Sequence, residues 1–321
     1  MAAGTVASFG LTEREAKEAV AAAGRRLEAE GLVARTWGNV SVRIDERRMA
    51  ITPSGIAYEN IGPDEVVVVD LRTGEWSGTL KPSGERKLHA AIYASRNDVG
   101  AVIHTHQAAA SVFAAARAAL PRQSGEVRCA AYALPGTKKL TNATVAAVGS
   151  GQAAFMANHG AVCVGSDIDA AFTAARDLEK DCAAYVSGLR EAADLPGPID
   201  SAWDSGLLSV EADGALLSRA PFTHAFSCAG RRLGMVLDDL AQLVGVGRAH
   251  CSFVSGIGAR LVYQDTADAE AAAMVVEKAC RAQLAGEILG GAKRIPLWEA
   301  LLMRAVYVRK YSRLKNTSRP R

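Results

Sequence analysis

Residues 157–184 recur without a gap as residues 255–282, the two stretches agreeing at 11 of 28 positions. The matches include Gly160/Gly258, Asp167/Asp265, Glu179/Glu277, Lys180/Lys278 and Cys182/Cys280. Alanine richness inflates such a score, but Glu-Lys and Cys falling in register is not an effect of alanine. A repeat of this kind means one supersecondary unit built twice, with each copy burying an apolar face. One difference separates the copies chemically: His159 is answered by Ile257. The second copy is therefore expected to have lost a ligand and its chemistry, and to act as a scaffold that caps a site or makes subunit contacts.

At 321 residues the chain has room for two ordinary domains. Asp194-Leu195-Pro196-Gly197-Pro198 reads as a linker. It divides a catalytic part, 1–195, from a smaller, non-catalytic degenerate repeat, 196–321. In the first part, Thr12 and Glu15 form a capping box for a helix running to Gly31, with Ala19, Val20, Ala23 and Leu27 as its apolar stripe. Thr36 to Arg43 is a glycine turn entering an alternating strand, and Met49–Thr52 and Glu65–Leu71 are two more strands. A helix over Gly84–Ser95 precedes a strand over Ala101–His106. A helix near Ser111–Ala119, strands near Ala153–Met156 and Ala161–Val164, and a helix over Asp169–Leu189 complete this half.

The apolar stretches fall well short of the roughly 20 residues a membrane span needs, and Met1–Gly10 lacks the pattern of a secretory signal. A formal charge of +3, with acids and bases interspersed, gives no nucleic-acid footprint. The basic tail from Arg309 to Arg321 reads as a solvated terminus. Six cysteines without paired spacing read as reduced, mostly core residues. These features describe a cytoplasmic protein with no membrane or nucleic-acid partner.

The chemistry lies in three of the chain's six histidines. His104 and His106, two apart on a strand, point to one face and can converge on one ion. His159, at the corner Asn158-His159-Gly160, would complete a three-nitrogen site with open positions, as catalytic metals use. Glu85 sits where a helix begins, a place the helix dipole also favours for an acid. Beside a metal and partly desolvated, it would have a raised pKa and could take a proton from carbon. His89, one turn on, reads as a supporting or core residue. Three turns, Thr36 to Asn39 (with Gly38), Ser54-Gly55 and Ser83-Gly84, offer backbone N–H groups and hydroxyls of the kind that cradle a phosphate or carboxylate.

The ordered motifs T-x-G-N-x-S-x-R, I-T-P-S-G, P-S-x-E, A-V-I-H-T-H and N-H-G, spread between Thr36 and Gly160, resemble the class II aldolase/adducin family. The resemblance spans about Thr12 to Leu189. It implies an α/β/α sandwich around a central, mostly antiparallel sheet, and a homo-oligomer, dimer or tetramer, with sites at subunit interfaces. It also implies zinc (alternatives Mn2+, Co2+ or Fe2+) on His104, His106 and His159, and Glu85 as the catalytic carboxylate. Asn39, Ser54, Gly55, Ser83 and Gly84 fall where sugar-phosphate aldolases bind phosphate. The chain departs in having Ser83-Gly84 where Ser-Ser is usual. Its segment from Leu120 to Ala131 is also short, with no residue matching the family's catalytic tyrosine; Tyr132 fits a neighbouring motif position better.

The expected function is a metal-dependent aldolase acting on a ketose phosphate or related hydroxy-carbonyl compound through an enediolate. The alternatives are a 3-oxo-acid decarboxylase, a sugar-phosphate 4-epimerase, an iron oxygenase, and an adducin-like binding head without catalysis.

Overall fold

A computed structural model describes residues 10–33, 36–123, 125–189, 194–247 and 249–317, with the side chains of 310–317 left aside. By Cα proximity the chain divides into two units, 1–107 with 119–156 and 160–178, and 108–118 with 157–159 and 179–321.

The first unit opens with α1 (Glu13–Ala29), which begins where the sequence places it. Thr12 accepts from the Glu15 N–H, and the Glu15 carboxylate bonds back to the Thr12 N–H at 2.7 Å. Such a reciprocal cap contributes about 1 kcal/mol. Strands β1 (Asn39–Arg43), β2 (Arg48–Ile51) and β3 (Val67–Asp70) follow, then α2 (Arg86–Ser95) and β4 (Ala101–Thr105). After α3 (Ala108–Ala116) of the second unit, the first resumes with a hairpin of β5 (Leu120–Arg122) and β6 (Gly125–Val127), then β7 (Cys129–Ala130). Next come α4 (Lys138–Val148), β8 (Ala153–Met156), β9 (Gly160–Gly165) and α5 (Ile168–Ser187), which continues past Leu178 into the second unit.

Seven strands form one sheet in the order β3-β2-β1-β4-β9-β8-β7, antiparallel throughout except for the β7–β8 pair. The expected alternation of buried and exposed positions along β1 is absent: all five residues are buried. Helices cover both faces, which removes the solvent side that alternation serves. One face packs Met49, Ile51, Val102, Val162 and Met156 against Leu88, Ile92 and Leu140. On the other, α1 lies against β1 and β2.

Two polar residues of β1, Ser41 and Arg43, bond to side chains and backbone of α2. The Ser41 hydroxyl lies 2.7 Å from His89 Nδ1 and 2.8 Å from the Tyr93 hydroxyl. Arg43 donates to the Tyr93 carbonyl and stacks 5.0 Å from that ring.

His89 is fully buried, and desolvation holds its pKa down at about 4 against the opposing pull of Glu85. The unfolded ring titrates near 6.5, so the folded form stays neutral where the unfolded form charges. Its contribution is complete above about pH 6.5 and is lost as pH falls toward 4, by on the order of 3 kcal/mol. Urea unfolding of wild type and His89→Gln at pH 7 and 4.5 checks this; the variant should lose less stability on acidification, and equal losses would contradict it.

In the second unit, β10 (Leu208–Val210), β11 (Leu216–Ser218), β12 (Cys251–Val254) and β13 (Gly258–Leu261) form an antiparallel sheet in the order β10-β11-β13-β12. Helices α6 (Pro221–Cys228), α7 (Asp238–Leu243), α8 (Thr266–Gly286) and α9 (Leu297–Thr317) accompany it. This pairing order repeats that of β1-β4-β9-β8, and the correspondence extends to side chains. Glu179 accepts from the N–H groups of Ala109 and Ala110 at the start of α3, and Glu277 from those of Phe222 and Thr223 at the start of α6. Each carboxylate thereby satisfies two amides that no helical turn can reach.

Helix α9 carries the chain on through Thr317, where the sequence suggested a solvated tail; residues 318–321 lie outside the described residues, as do 1–9 of the segment read for a secretory signal. No helix among the described residues is long and apolar enough to cross a membrane.

Candidate metal centre

Pairing of β1 with β4 sets Asn39 opposite His104. Gly38 permits this approach, since a Cβ there would stand 2.8 Å from the His104 carbonyl and 2.3 Å from a Val33 methyl. Tyr58 closes the turn, its hydroxyl donating to the Gly38 carbonyl at 2.6 Å; burial pushes that phenol well above the usual range. Thr36 is half-buried at the turn's start.

The other two turns are bound to each other. Pro53 and Pro82 form an antiparallel bridge, the Ser54 N–H donates to the Lys81 carbonyl and the Ser83 N–H to the Thr52 carbonyl. Ser54-Gly55 and Ser83-Gly84 are thus neighbours, with Gly55 at φ 80° and both glycines exposed. The Ser83 hydroxyl accepts from the Glu85 N–H at 3.2 Å, and Glu85 is the N-cap of α2 rather than part of its first turn.

Asn39 Nδ2 donates to Glu85 Oε2 at 2.8 Å, and the same oxygen lies 3.4 Å from His104 Nε2. His104 Nδ1 is 2.9 Å from the Ala161 carbonyl. A carbonyl only accepts, so the ring proton belongs on Nδ1 and Nε2 offers a lone pair. That Nε2 lies 3.0 Å from His106 Nε2, just past the end of β4. One ligand nitrogen from each of His104, His106 and His159 falls within 4.8 Å of the others, and all three residues are buried. Imidazole lone pairs converging beside a carboxylate call for a positive charge among them. Ligands 2.0–2.1 Å from a tetrahedral zinc would stand about 3.3 Å apart. The His104–His106 pair is near that spacing at 3.0 Å, and the set, spanning up to 4.8 Å, would draw together to hold such an ion.

The corner carrying His159 depends on Gly160. A Cβ at that position would meet the Thr105 carbonyl oxygen at 2.2 Å and His104 Cε1 at 3.3 Å. Gly160→Ala should therefore force β9 off β4 and destabilise the protein by about 2 kcal/mol or more. Gly84→Ala, with nothing within 4 Å of its added methyl, should change stability little. Equal urea midpoints for the two variants would contradict this. His89 takes no part in the cluster, since its Nδ1 faces Ser41.

Residues 18–186 match the family described as Class II Aldolase and Adducin N-terminal domain. The chain belongs to this family. It is 34% identical over 177 residues to 5-deoxy-D-ribulose 1-phosphate aldolase of Bacillus thuringiensis serovar kurstaki, covering 53% of this chain and 83% of that relative. It is 36% identical over 166 residues to 5-methylthioribulose-1-phosphate/5-deoxyribulose-1-phosphate aldolase of Rhodospirillum rubrum, covering 49% and 74%. Among solved structures, an L-fuculose 1-phosphate aldolase superposes with a TM-score of 0.53 at 30% identity, covering 62% of this chain and 94% of that one. Membership accords with the mixed α/β architecture around a central sheet, and family enzymes of the class II aldolase type are metal-dependent lyases.

One further residue at the centre escaped the sequence reading. Asp238 Oδ2 lies 2.7 Å from His159 Nδ1. The signal was two adjacent acids, Asp238-Asp239, inside the apolar run Met235–Ala241.

Proposed function

We propose that this chain is a zinc-dependent aldolase that cleaves and forms a C–C bond in a ketose 1-phosphate. Glu85 would be its acid/base, His104, His106 and His159 its metal ligands. The observation that carries this reading is the Glu85 carboxylate, 3.4 Å from His104 Nε2 in a buried cluster of three histidines. A divalent cation bound there would polarise the carbonyl and hydroxyl oxygens of the substrate and stabilise the negative charge left as the bond breaks. Glu85 would deliver and remove the proton on the donor carbon. The Asn39 amide holds one carboxylate oxygen and fixes the direction the other faces. Thr36 to Asn39 with Gly38, Ser54-Gly55 and Ser83-Gly84 would receive the phosphate on the hydroxyls of Ser54 and Ser83 and on turn N–H groups. The N–H groups of Ser54 and Ser83 are not among these, being bonded to the Lys81 and Thr52 carbonyls.

Zinc is favoured by three neutral nitrogens with an open fourth position, although Mn2+, Co2+ and Fe2+ accept the same donors. An adducin-like binding head would have no need of the ligands and carboxylate, all of which are retained. The 5-deoxypentulose 1-phosphate aldolases among the relatives suggest a substrate of that size. Given zinc and 5-deoxyribulose 1-phosphate, the protein should release dihydroxyacetone phosphate and acetaldehyde, lose this activity to a chelator and regain it with zinc. Return of the substrate as its C4 epimer would point instead to an epimerase.

The repeated sheet order and the Glu179/Glu277 caps support reading 196–321 as a degenerate, non-catalytic copy whose Ile257 stands where His159 would be. A homo-oligomer fits the exposed row Leu297, Trp298, Leu301 and Leu302 on one face of α9, because such an apolar row is ordinarily covered by a partner. Unpaired cysteine spacing fits the cytoplasm.

A further inference from the structure

The corner bearing His159 is fixed by residues far beyond the hairpin that makes it. Asn158 adopts the left-handed region, at φ 59°. Its Nδ2 donates to the carbonyls of Val236 at 2.8 Å and Lys293 at 2.6 Å, and its Oδ1 accepts from Arg117 Nε at 2.9 Å. Its backbone N–H donates to the Ala114 carbonyl, and its own carbonyl accepts from the Asp238 N–H, both at 2.9 Å. The next side chain, His159, has its Nδ1 2.7 Å from Asp238 Oδ2.

Asp238 is 2% exposed. Its Oδ1 accepts from the Asp239 N–H at 2.8 Å, and its Oδ2 lies 3.4 Å from Gln242 Nε2. The adjacent Asp239 has its own cation in Lys278. Among the described residues no lysine or arginine pairs with Asp238, so the imidazole is its ionic partner. The contact is an ion pair at 2.7 Å in which the ring N–H does not point squarely at the oxygen. A carboxylate only accepts, so its charge favours the His159 proton on Nδ1 and leaves Nε2 as the ligand nitrogen.

We propose that Asp238 is a positioning residue for the metal centre: by holding the Nδ1 proton and ring orientation of His159, it makes the segment beyond Pro198 a working part of the ion site. This rests on the reading of the three histidines as metal ligands. The repeat supplies an internal contrast. At the equivalent corner, Gly256-Ile257, φ at Gly256 is again left-handed, at 70°, but the side chain that follows has no ring nitrogen to orient.

Asp238→Asn is the informative change. One carboxylate oxygen already accepts the Asp239 N–H, so an asparagine would keep its oxygen there and turn its NH2 toward His159. A donor facing Nδ1 drives the ring proton to Nε2, the nitrogen the ion needs. The same inversion of tautomer is the known consequence of replacing the aspartate of a hydrolytic triad with asparagine.

The experiment uses full-length wild type, Asp238→Asn and His159→Ala. Each is stripped of metal and titrated with Zn2+ against a chromophoric chelator, and each is examined with Co2+ for its visible d–d bands. We expect wild type to bind one ion per chain. Asp238→Asn should bind 10–100-fold more weakly, the usual cost of losing a carboxylate behind a metal-bound histidine, with an altered Co2+ spectrum. Zinc affinity and Co2+ spectrum unchanged in Asp238→Asn, but lost in His159→Ala, would overturn the role of Asp238 alone. Binding unaffected by His159→Ala would overturn the ligand reading as well. Should Asp238→Asn not fold, 15N-labelled imidazole spectra of zinc-loaded wild type decide: zinc on Nε2 of His159 with a proton on Nδ1 supports the role, and zinc on Nδ1 refutes it.

Discussion

Glu85→Gln should keep its zinc and lose turnover by 10^2- to 10^4-fold, the contribution of a positioned general acid/base. The substitution preserves shape and the capping position on α2, where Glu85 makes no side-chain cap bond to be lost. What it removes is the charge beside His104 Nε2 and the proton-accepting oxygen that Asn39 does not hold. Three imidazoles remain to hold the ion, so zinc content per chain, measured beside kcat, separates the two roles. If zinc leaves with the carboxylate, Glu85 is a ligand. If both zinc and kcat persist, the proton is carried elsewhere.

His106→Ala has the second large effect. His104 and His106 present nitrogens 3.0 Å apart, and both side chains are buried. Removing one leaves too few donors for a closed grip on a tetrahedral ion, and zinc affinity should fall by about three orders of magnitude, roughly 4 kcal/mol. The consequence appears in stability too. Zinc at 100 times its Kd should raise the unfolding free energy of wild type by about 2.7 kcal/mol, while the same zinc concentration should barely move the variant. Thermal melts with and without zinc test this, and an equal rise in both proteins would place the bound ion elsewhere.

The local chemistry of this chain was legible from its sequence. The Thr12/Glu15 cap, the Gly38 turn into β1, the strand with His104 and the Asn158-His159-Gly160 corner stand where pattern and turn residues put them. Helix α4 went unread, although Thr137 caps it and Leu140, Thr144, Ala147 and Val148 form its buried stripe. That stripe contains a threonine and an alanine, a weak periodic signal. The polar residues of β1 were read for alternation, whereas α2 buries Ser41 and Arg43 through His89 and Tyr93, which a period-2 pattern cannot anticipate. Asp238 lay furthest from reach. It meets His159 across 79 positions of sequence, and only the packing of the second unit brings the two together. The repeat itself was visible because it is local in each copy. Its physical reason became plain in Glu179 and Glu277, each spent on the first amides of a helix.

The most direct measurement is proton exchange at the donor carbon. Zinc-loaded protein is incubated with dihydroxyacetone phosphate in D2O, with Glu85→Gln alongside, and the C3 protons are followed by NMR. Stereospecific loss of one proton in wild type, absent from the variant, is the expected result for metal-assisted enediolate chemistry with Glu85 as the base. No exchange at full zinc occupancy, or equal exchange in both proteins, would contradict it.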